Sequence, residues 1–293
     1  MKRWTRREFV RAAGTVGLGT SGFSVLGSTD DSITSAERKR GDVEIRYEWL
    51  RPGEMVSRRK ACPVAYLPIG TLEWHLEHNV LGLDAVKAHG LVMECARRGG
   101  GVVFPALFYG ENRTEAHVDV LRADEFEVPP ENFGPDFMPF TVSEQATHYH
   151  HLLIHVLNEI ASLGFRFIIV CAGHYPLLDH ARAAISVFRQ TARRRGHQPT
   201  TGWAFSGYEL VQDVLPGVGD HGLTWETSLM MALFPGSADL SLLPPEVRRE
   251  KWVDSVSAEY GRKAIDLIID RVLARVEDML KNPGKYLGHC TPM

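Results

Sequence analysis

The chain has 293 residues, of which 44% are hydrophobic and 24% charged, and its 33 basic and 36 acidic side chains leave a net charge of −3. This balance excludes a largely disordered chain and offers no basic excess for a nucleic-acid partner. Four scattered cysteines, Cys62, Cys95, Cys171 and Cys290, form no C-x-x-C pair, which excludes a zinc ribbon, a thioredoxin-like motif and a disulfide scaffold; Cys171, in an apolar run, reads as a small buried residue.

The N-terminus reads Thr5-Arg6-Arg7-Glu8-Phe9-Val10-Arg11, followed by a mild apolar stretch from Ala12 to Leu26. This order resembles a twin-arginine export signal, and the stretch is too short and Gly-rich for a stable membrane span. Residues 1–28 are therefore assigned to a signal segment, 29–42 to a polar linker and 43–293 to one domain, with a periplasmic or otherwise extracytoplasmic location implied. Within the domain, Val64–Ile69 is a strand, Asp84–Arg98 a helix broken by the three glycines at 99–101, and Val102–Phe104 a second strand. Residues 123–140 read as a long loop. Ser143–Leu163 is a helix, with Leu152, His155, Val156, Glu159 and Ile160 at helical spacing. Phe165–Val170 is a buried strand, Leu177–Arg195 a helix, Trp203–Phe205 a strand, Thr224–Phe234 a helix and Val256–Leu280 a long amphipathic helix. The basic run Arg193-Arg194-Arg195 before Gly196 complements a helix C-terminus. Alternation of strands and helices predicts an α/β fold, a mainly parallel sheet with helices on both faces and its site at the carboxyl ends of the strands.

Three clusters of ligating side chains follow predicted strands or open a helix. Glu73-Trp74-His75, with His78 and Asp84 behind, comes just after Ile69. Gly173-His174 follows the third strand closely. His221-Gly222 precedes Glu226-Thr227-Ser228 at a helix start. Glu, Asp and His suit Zn²⁺, Mn²⁺ or Fe²⁺. Each cluster alone has an ordinary structural explanation; Glu226, for one, would favour a helix dipole.

Together the clusters resemble the creatininase (creatinine amidohydrolase) family. Leu67-Pro68-Ile69-Gly70-Thr71-Leu72-Glu73-Trp74-His75-Leu76-Glu77-His78-Asn79-Val80-Leu81-Gly82-Leu83-Asp84 matches a motif of the form LP-x-G-[ST]-x-E-Q-H-G-P-H-L-P-L-x-T-D, with Glu73, His75, His78, Leu81 and Asp84 in register. Ala172-Gly173-His174 resembles the family's N-G-H turn, and His221 to Ser228 its H-A-G-x-x-E-T-S segment. The resemblance implies a three-layer creatininase-like fold, a two-metal hydrolytic centre acting on a C–N amide-type bond of a small molecule, and a homo-oligomer, hexamers being common in the family. It places Asp84 as a bridge between two divalent ions, with Glu73 and His174 on one, His75 and Glu226 on the other, and His221 as the acid that protonates the leaving nitrogen. His78 and Tyr175, and Glu115 and His117 with Glu111 in the loop after Phe104, are expected to support ligands or contact substrate.

The chain departs from the pattern at Trp74, at Leu76-Glu77 in place of Gly-Pro, at Ala172 in place of Asn, and at Pro176, where creatininase proper has a metal-binding carboxylate. Glu226 is the carboxylate left for the second ion, with Glu77 or Asp179 next in line. His148, His150, His151 and His155 are read as surface or packing residues on one helix. Trp74, Tyr175, Trp203 and Trp225 are weighed between pocket wall and core. A non-catalytic exported protein that keeps the fold and binds a metal or ligand is the competing reading.

Overall fold

The computed structural model describes residues 43–110, 141–194, 200–215 and 217–287. The signal segment, the linker, the loop at 123–140, Glu111, Glu115, His117, Arg195 and Cys290 lie outside the described residues.

Four strands form one sheet: β1 Val64–Ile69, β2 Val102–Val103, β3 Phe167–Ala172 and β4 Thr201–Ser206, in the order β2-β1-β3-β4. Every pairing is parallel, with Val64 opposite Phe167, Ile69 opposite Ala172 and Ala172 opposite Ser206. Every residue of β1, β3 and β4 is buried, as expected of a parallel sheet covered on both faces. The helices are α1 Pro52–Ala61, α2 Leu83–Gly99, α3 Val142–Ser162, α4 Leu177–Arg194, α5 Thr224–Leu233, α6 Lys251–Asp254, α7 Ala258–Lys281 and α8 Pro283–Leu287. On one face Tyr66, Ile169 and Phe205 pack with Leu91 of α2, Leu229 of α5 and Ile265, Ile268 and Val272 of α7. On the other face Leu67, Ile168 and Val170 pack with Leu153 and Leu157 of α3 and with Ala181, Ile185 and Phe188 of α4. The α/β three-layer arrangement expected from the alternating pattern is thus present.

Two readings of the sequence are corrected, and one helix was not foreseen. The third strand starts at Phe167, not Phe165: Phe165 is buried in the core, but Arg166 N–H and Phe167 N–H both turn to the Pro63 carbonyl before pairing begins. The strand therefore runs on to Ala172 and delivers Gly173-His174 directly from its end. The inward face of α3 carries Tyr149, Leu153, Leu157 and Ile160, whereas Leu152, His155 and Glu159 face solvent. Both sets recur every three or four residues, so spacing alone left the phase of the helix open. Finally, α1 was not expected; it buries no residue fully and so shows no apolar stripe, although Glu54 accepts from the Arg51 backbone N–H (2.7 Å) at its start and Pro52 opens its first turn.

The chain leaves β1 through α2 toward β2 on one side and leaves β3 through α4 toward β4 on the other. The carboxyl ends of β1 and β3 thus flank a topological switch point, where open α/β sheets form crevices. Among the described residues no helix is long and apolar enough to cross a membrane.

Candidate metal centre

The segment from Gly70 to Gly82 connects β1 to α2 over the switch point and carries Glu73, His75 and His78. It is pinned by several bonds. Glu73 N–H donates to the Leu81 carbonyl (3.2 Å), and Asn79 Nδ2 lies within 3.3 Å of the carbonyls of His75 and Gly222. The Thr227 hydroxyl donates to the Gly222 carbonyl (2.9 Å), which leaves its oxygen to accept from His78 Nε2 (3.0 Å). His78 is buried, joins this segment to α5 and does not line the cleft. Leu76 stands where the motif has glycine and sits at φ 58°, a left-handed backbone that costs a non-glycine residue roughly 1 kcal/mol.

Glu73, His75, Asp84, His174 and Glu226 converge on the floor of a cleft of about 220 Å³, which Lys87, His221, Tyr175, Tyr208 and Trp225 also line. His174 Nδ1 lies 2.8 Å from Glu73 Oε1 and 3.3 Å from Asp84 Oδ2. His75 Nε2 lies 3.5 Å from Asp84 Oδ1 and 3.4 Å from Glu226 Oε2. Glu73, Asp84 and His174 therefore form one group able to hold an ion, and His75, Asp84 and Glu226 another, with Asp84 offering a different oxygen to each. A third grouping, Glu73, His75 and His221, overlaps both. Two ligands about 2.1 Å from a shared ion at tetrahedral or octahedral angles lie roughly 3.0–3.4 Å apart, close to the spacings seen here.

The electrostatics also fit cations. Glu73 Oε1 and Asp84 Oδ2 are buried and share one imidazole nitrogen, His174 Nδ1, at 2.8 and 3.3 Å, too little to satisfy two buried carboxylates unless something positive meets them. Burial pushes the Glu73 carboxyl up to about 7, against the hydrogen bond and charge of His174. Burial opposes charge on His75, but Asp84, then Glu226 and Glu73, outweigh it and hold the imidazole at about 9. His174 is raised well above its ordinary value in the same way, burial being overcome by Asp84 and Glu73. Two imidazoles drawn toward the protonated form mark a donor set short of positive charge.

His221, half-buried, stacks on His75 with ring centroids 4.4 Å apart. Its Nε2 is 2.8 Å from the Trp74 carbonyl, which can only accept, so Nε2 carries the hydrogen and Nδ1 the lone pair. Burial, and then repulsion from His75, lowers its pKa.

Tyr175 lies at the mouth of the cleft, 47% exposed and 4.7 Å from the Tyr208 ring. Trp225 is shared between cleft and core, and Trp203 is in the core, stacked on Phe205. Trp74 contributes its carbonyl to His221 rather than a wall of the cleft. Pro176 lines the cleft but offers no ligand atom. The fallback carboxylates are placed elsewhere: Glu77 is exposed, and Asp179, with an 86% exposed side chain, faces Arg182. His148, His151 and His155 lie on the surface of α3, and Cys171 is fully buried in β3.

Two contributors were not foreseen. Lys87, three residues after Asp84 on α2, is buried with its ammonium on Glu226 and 3.5 Å from Asp84 Oδ1. Asp220 accepts from the backbone N–H groups of Trp225 (2.6 Å) and Glu226 (3.2 Å) and so holds the first turn of α5. A lysine at helical spacing from an aspartate reads as a surface pair, and an aspartate before a helix as a cap, so neither pattern pointed to a site.

Comparison with known proteins identifies the family. The family model for creatininase, described as creatinine amidohydrolase, matches residues 50–267. A creatinine amidohydrolase of Pseudomonas putida is 26% identical over 190 residues, spanning 60% of this chain and 66% of that protein. A crystal structure of creatinine amidohydrolase (creatininase) superposes with a TM-score of 0.63 at 20% identity, over 83% of this chain and 99% of the other. A structure described as creatininase Mn gives a TM-score of 0.62 at 21% identity, over 82% of this chain and all of the other. With well over half of its length matched by the family model and its fold shared with solved members, the chain belongs to the creatininase family.

Proposed function

We propose that this protein is a metal-dependent amidohydrolase that hydrolyses a C–N amide-type bond in a small molecule, with Glu73, Asp84 and His174 holding one divalent ion and His75, Asp84 and Glu226 a second. The observation that carries the reading is Asp84, buried at the start of α2 with one oxygen toward each group of ligands. Zinc, manganese or iron ions bound there would supply a water acidified toward a pKa of about 7 and would polarise the scissile carbonyl. Tyr175, Tyr208 and Trp225 bound a cleft of about 220 Å³, a size that suits a compact amide such as a cyclic amide, a formamide or a very short peptide.

His221 moves the proton. Its neutral form is favoured by burial, and its tautomer is fixed by the Trp74 carbonyl, so Nδ1 accepts a proton from the attacking water and returns it to the leaving nitrogen. The His221→Gln variant is expected to lower kcat about 10²- to 10⁴-fold with its metal content intact. Loss of an ion together with activity would instead place His221 among the ligands, as its grouping with Glu73 and His75 allows.

The reading as a whole is tested by metal analysis of untagged protein, combined with a hydrolysis screen over cyclic amides, formamides and short peptides. Bound metal with turnover of at least one class supports it; protein with neither metal nor turnover returns the non-catalytic binding reading. Export is proposed from Arg6-Arg7 and the apolar stretch behind them. Replacing both arginines by lysine should leave the protein in the cytoplasmic fraction, and unchanged extracytoplasmic protein removes the twin-arginine route. Assembly into a homo-oligomer is part of the same proposal; Leu72, Val80 and Leu81, apolar and exposed on the metal-centre loop, are consistent with a covered surface there.

A further inference from the structure

The two groups of ligands are not equivalent, because one of them already contains a lysine ammonium. The ammonium of Lys87 sits on Glu226 Oε1 and 3.5 Å from Asp84 Oδ1, both of which belong to the His75, Asp84 and Glu226 group. The side chain is only 6% exposed, so these carboxylates, not water, are its partners. In the other group, Glu73, Asp84 and His174, the buried oxygens Glu73 Oε1 and Asp84 Oδ2 face no ammonium among the described residues; they meet the His174 imidazole, Nδ1 lying 2.8 and 3.3 Å away, which becomes a ligand itself once it gives up its proton. One site is thus countered by an imidazole that can itself turn ligand, and the other by an ammonium that must move aside for an ion.

The charge count points the same way. Glu73, Asp84 and Glu226 carry three negative charges and Lys87 returns one positive, so with neutral imidazoles a single divalent ion balances the pocket. A second brings surplus positive charge into a buried region, beside an ammonium held by its own ligands. Asp220, which also lines the cleft with its oxygens engaged by the N–H groups opening α5, adds one negative charge and offsets only part of this: with two divalent ions the pocket still ends positive, beside the ammonium.

We infer that Lys87 is a resident cation of the second site, which makes the centre fill in order: an ion binds tightly at Glu73, Asp84 and His174, and a second binds weakly at His75, Asp84 and Glu226, displacing the ammonium from Glu226. Lys87 is then a positioning residue that sets how many metal ions each chain carries at a given metal concentration. The inference rests on the ligand roles proposed above.

Titration of metal-stripped, full-length protein with manganese chloride, followed by calorimetry and by the electron paramagnetic resonance signal of coupled Mn²⁺ pairs, tests it. The wild-type protein should bind one ion at least tenfold more tightly than the second, with the coupled-pair signal appearing only as the weak site fills. Lys87→Met keeps the bulk and removes the charge; it should tighten the second site tenfold or more and bring the pair signal to lower manganese. Two equally tight sites in the wild-type protein overturn the inference without any variant. So does an unchanged second site in folded Lys87→Met, with the ligand roles left standing. Absence of bound manganese from both proteins removes the ligand roles and the inference together.

Discussion

Asp84→Asn should strip both ions from the protein and abolish hydrolysis while leaving the fold recognisable. Asp84 is 1% exposed, and its two oxygens face separate ligand groups, Oδ2 toward His174 and Oδ1 toward His75. The carboxylate is held ionised well below its ordinary range: burial opposes this, but His75, His174 and Lys87 outweigh it. Asparagine keeps the shape but not the charge, and every partner in contact is cationic or drawn toward the charged form. Loss of a shared ligand should weaken each ion by at least about 100-fold, roughly 2.7 kcal/mol per site. Dialysed Asp84→Asn should therefore contain almost no metal by elemental analysis, with turnover below about one thousandth of wild type and an unchanged far-ultraviolet dichroism spectrum. His75→Ala should lose mainly one ion, because His75 serves a single Asp84 oxygen. Two ions retained in Asp84→Asn would show that Asp84 is not the shared ligand.

The contrast between Asp84 and Lys87 shows what the sequence made legible. Asp84 could be found because it closes a motif of several residues whose order and spacing are specific, and the structure gathers Glu73, His75, His174 and Glu226 around it. Lys87 could not, because its meaning depends on Glu226, a residue 139 positions away. Lysine is among the residues least often buried without a partner, and nothing local announces that this one has two. The strands were legible for a related reason: β1 and β3 are continuous apolar runs, and such runs have few alternatives, whereas of β4 only the apolar centre Trp203–Phe205 stood out between Gly202 and Ser206. The face of α3 and the existence of α1 were less so. In α3, Leu152 and Val156 recur at the same interval as Leu153 and Leu157, and only the sheet decides which set is buried. In α1, the helix is specified by its end signals and not by an apolar stripe.

The position of Asp84 depends in turn on two glycines, and substitution at either should be costly. Gly70 ends β1 and Gly173 follows β3, and the first turn of α2 rests directly on both. A Cβ on Gly173 would lie 1.9 Å from the Asp84 carbonyl oxygen and 2.6 Å from its carbon; one on Gly70 would lie 2.2 Å from Ala85 N and 2.5 Å from its Cα. These are backbone atoms, so no rotamer change relieves the clash, and α2 must shift by about 1 Å or more to restore ordinary contact. Such overpacking costs typically about 1–3 kcal/mol, and a displacement of that size at a reacting centre costs on the order of 100-fold in rate. The sign of the stability change is diagnostic. Neither glycine has a positive φ, so without the close approach alanine would stabilise the protein by about 0.4–1 kcal/mol through its stiffer unfolded chain. Gly173→Ala is therefore expected to lower the denaturation midpoint by several degrees, to weaken metal binding at both ligand groups because it moves their shared carboxylate, and to reduce turnover in proportion. Thermal melts with and without a chelator separate the two losses: the chelated variant should still melt below chelated wild type, since the clash persists without metal. A Gly173→Ala protein that melts at or above the wild-type temperature, with both ions in place, would mean that α2 does not rest on the ends of β1 and β3, and the geometry that gives Asp84 its two faces would have to be redrawn.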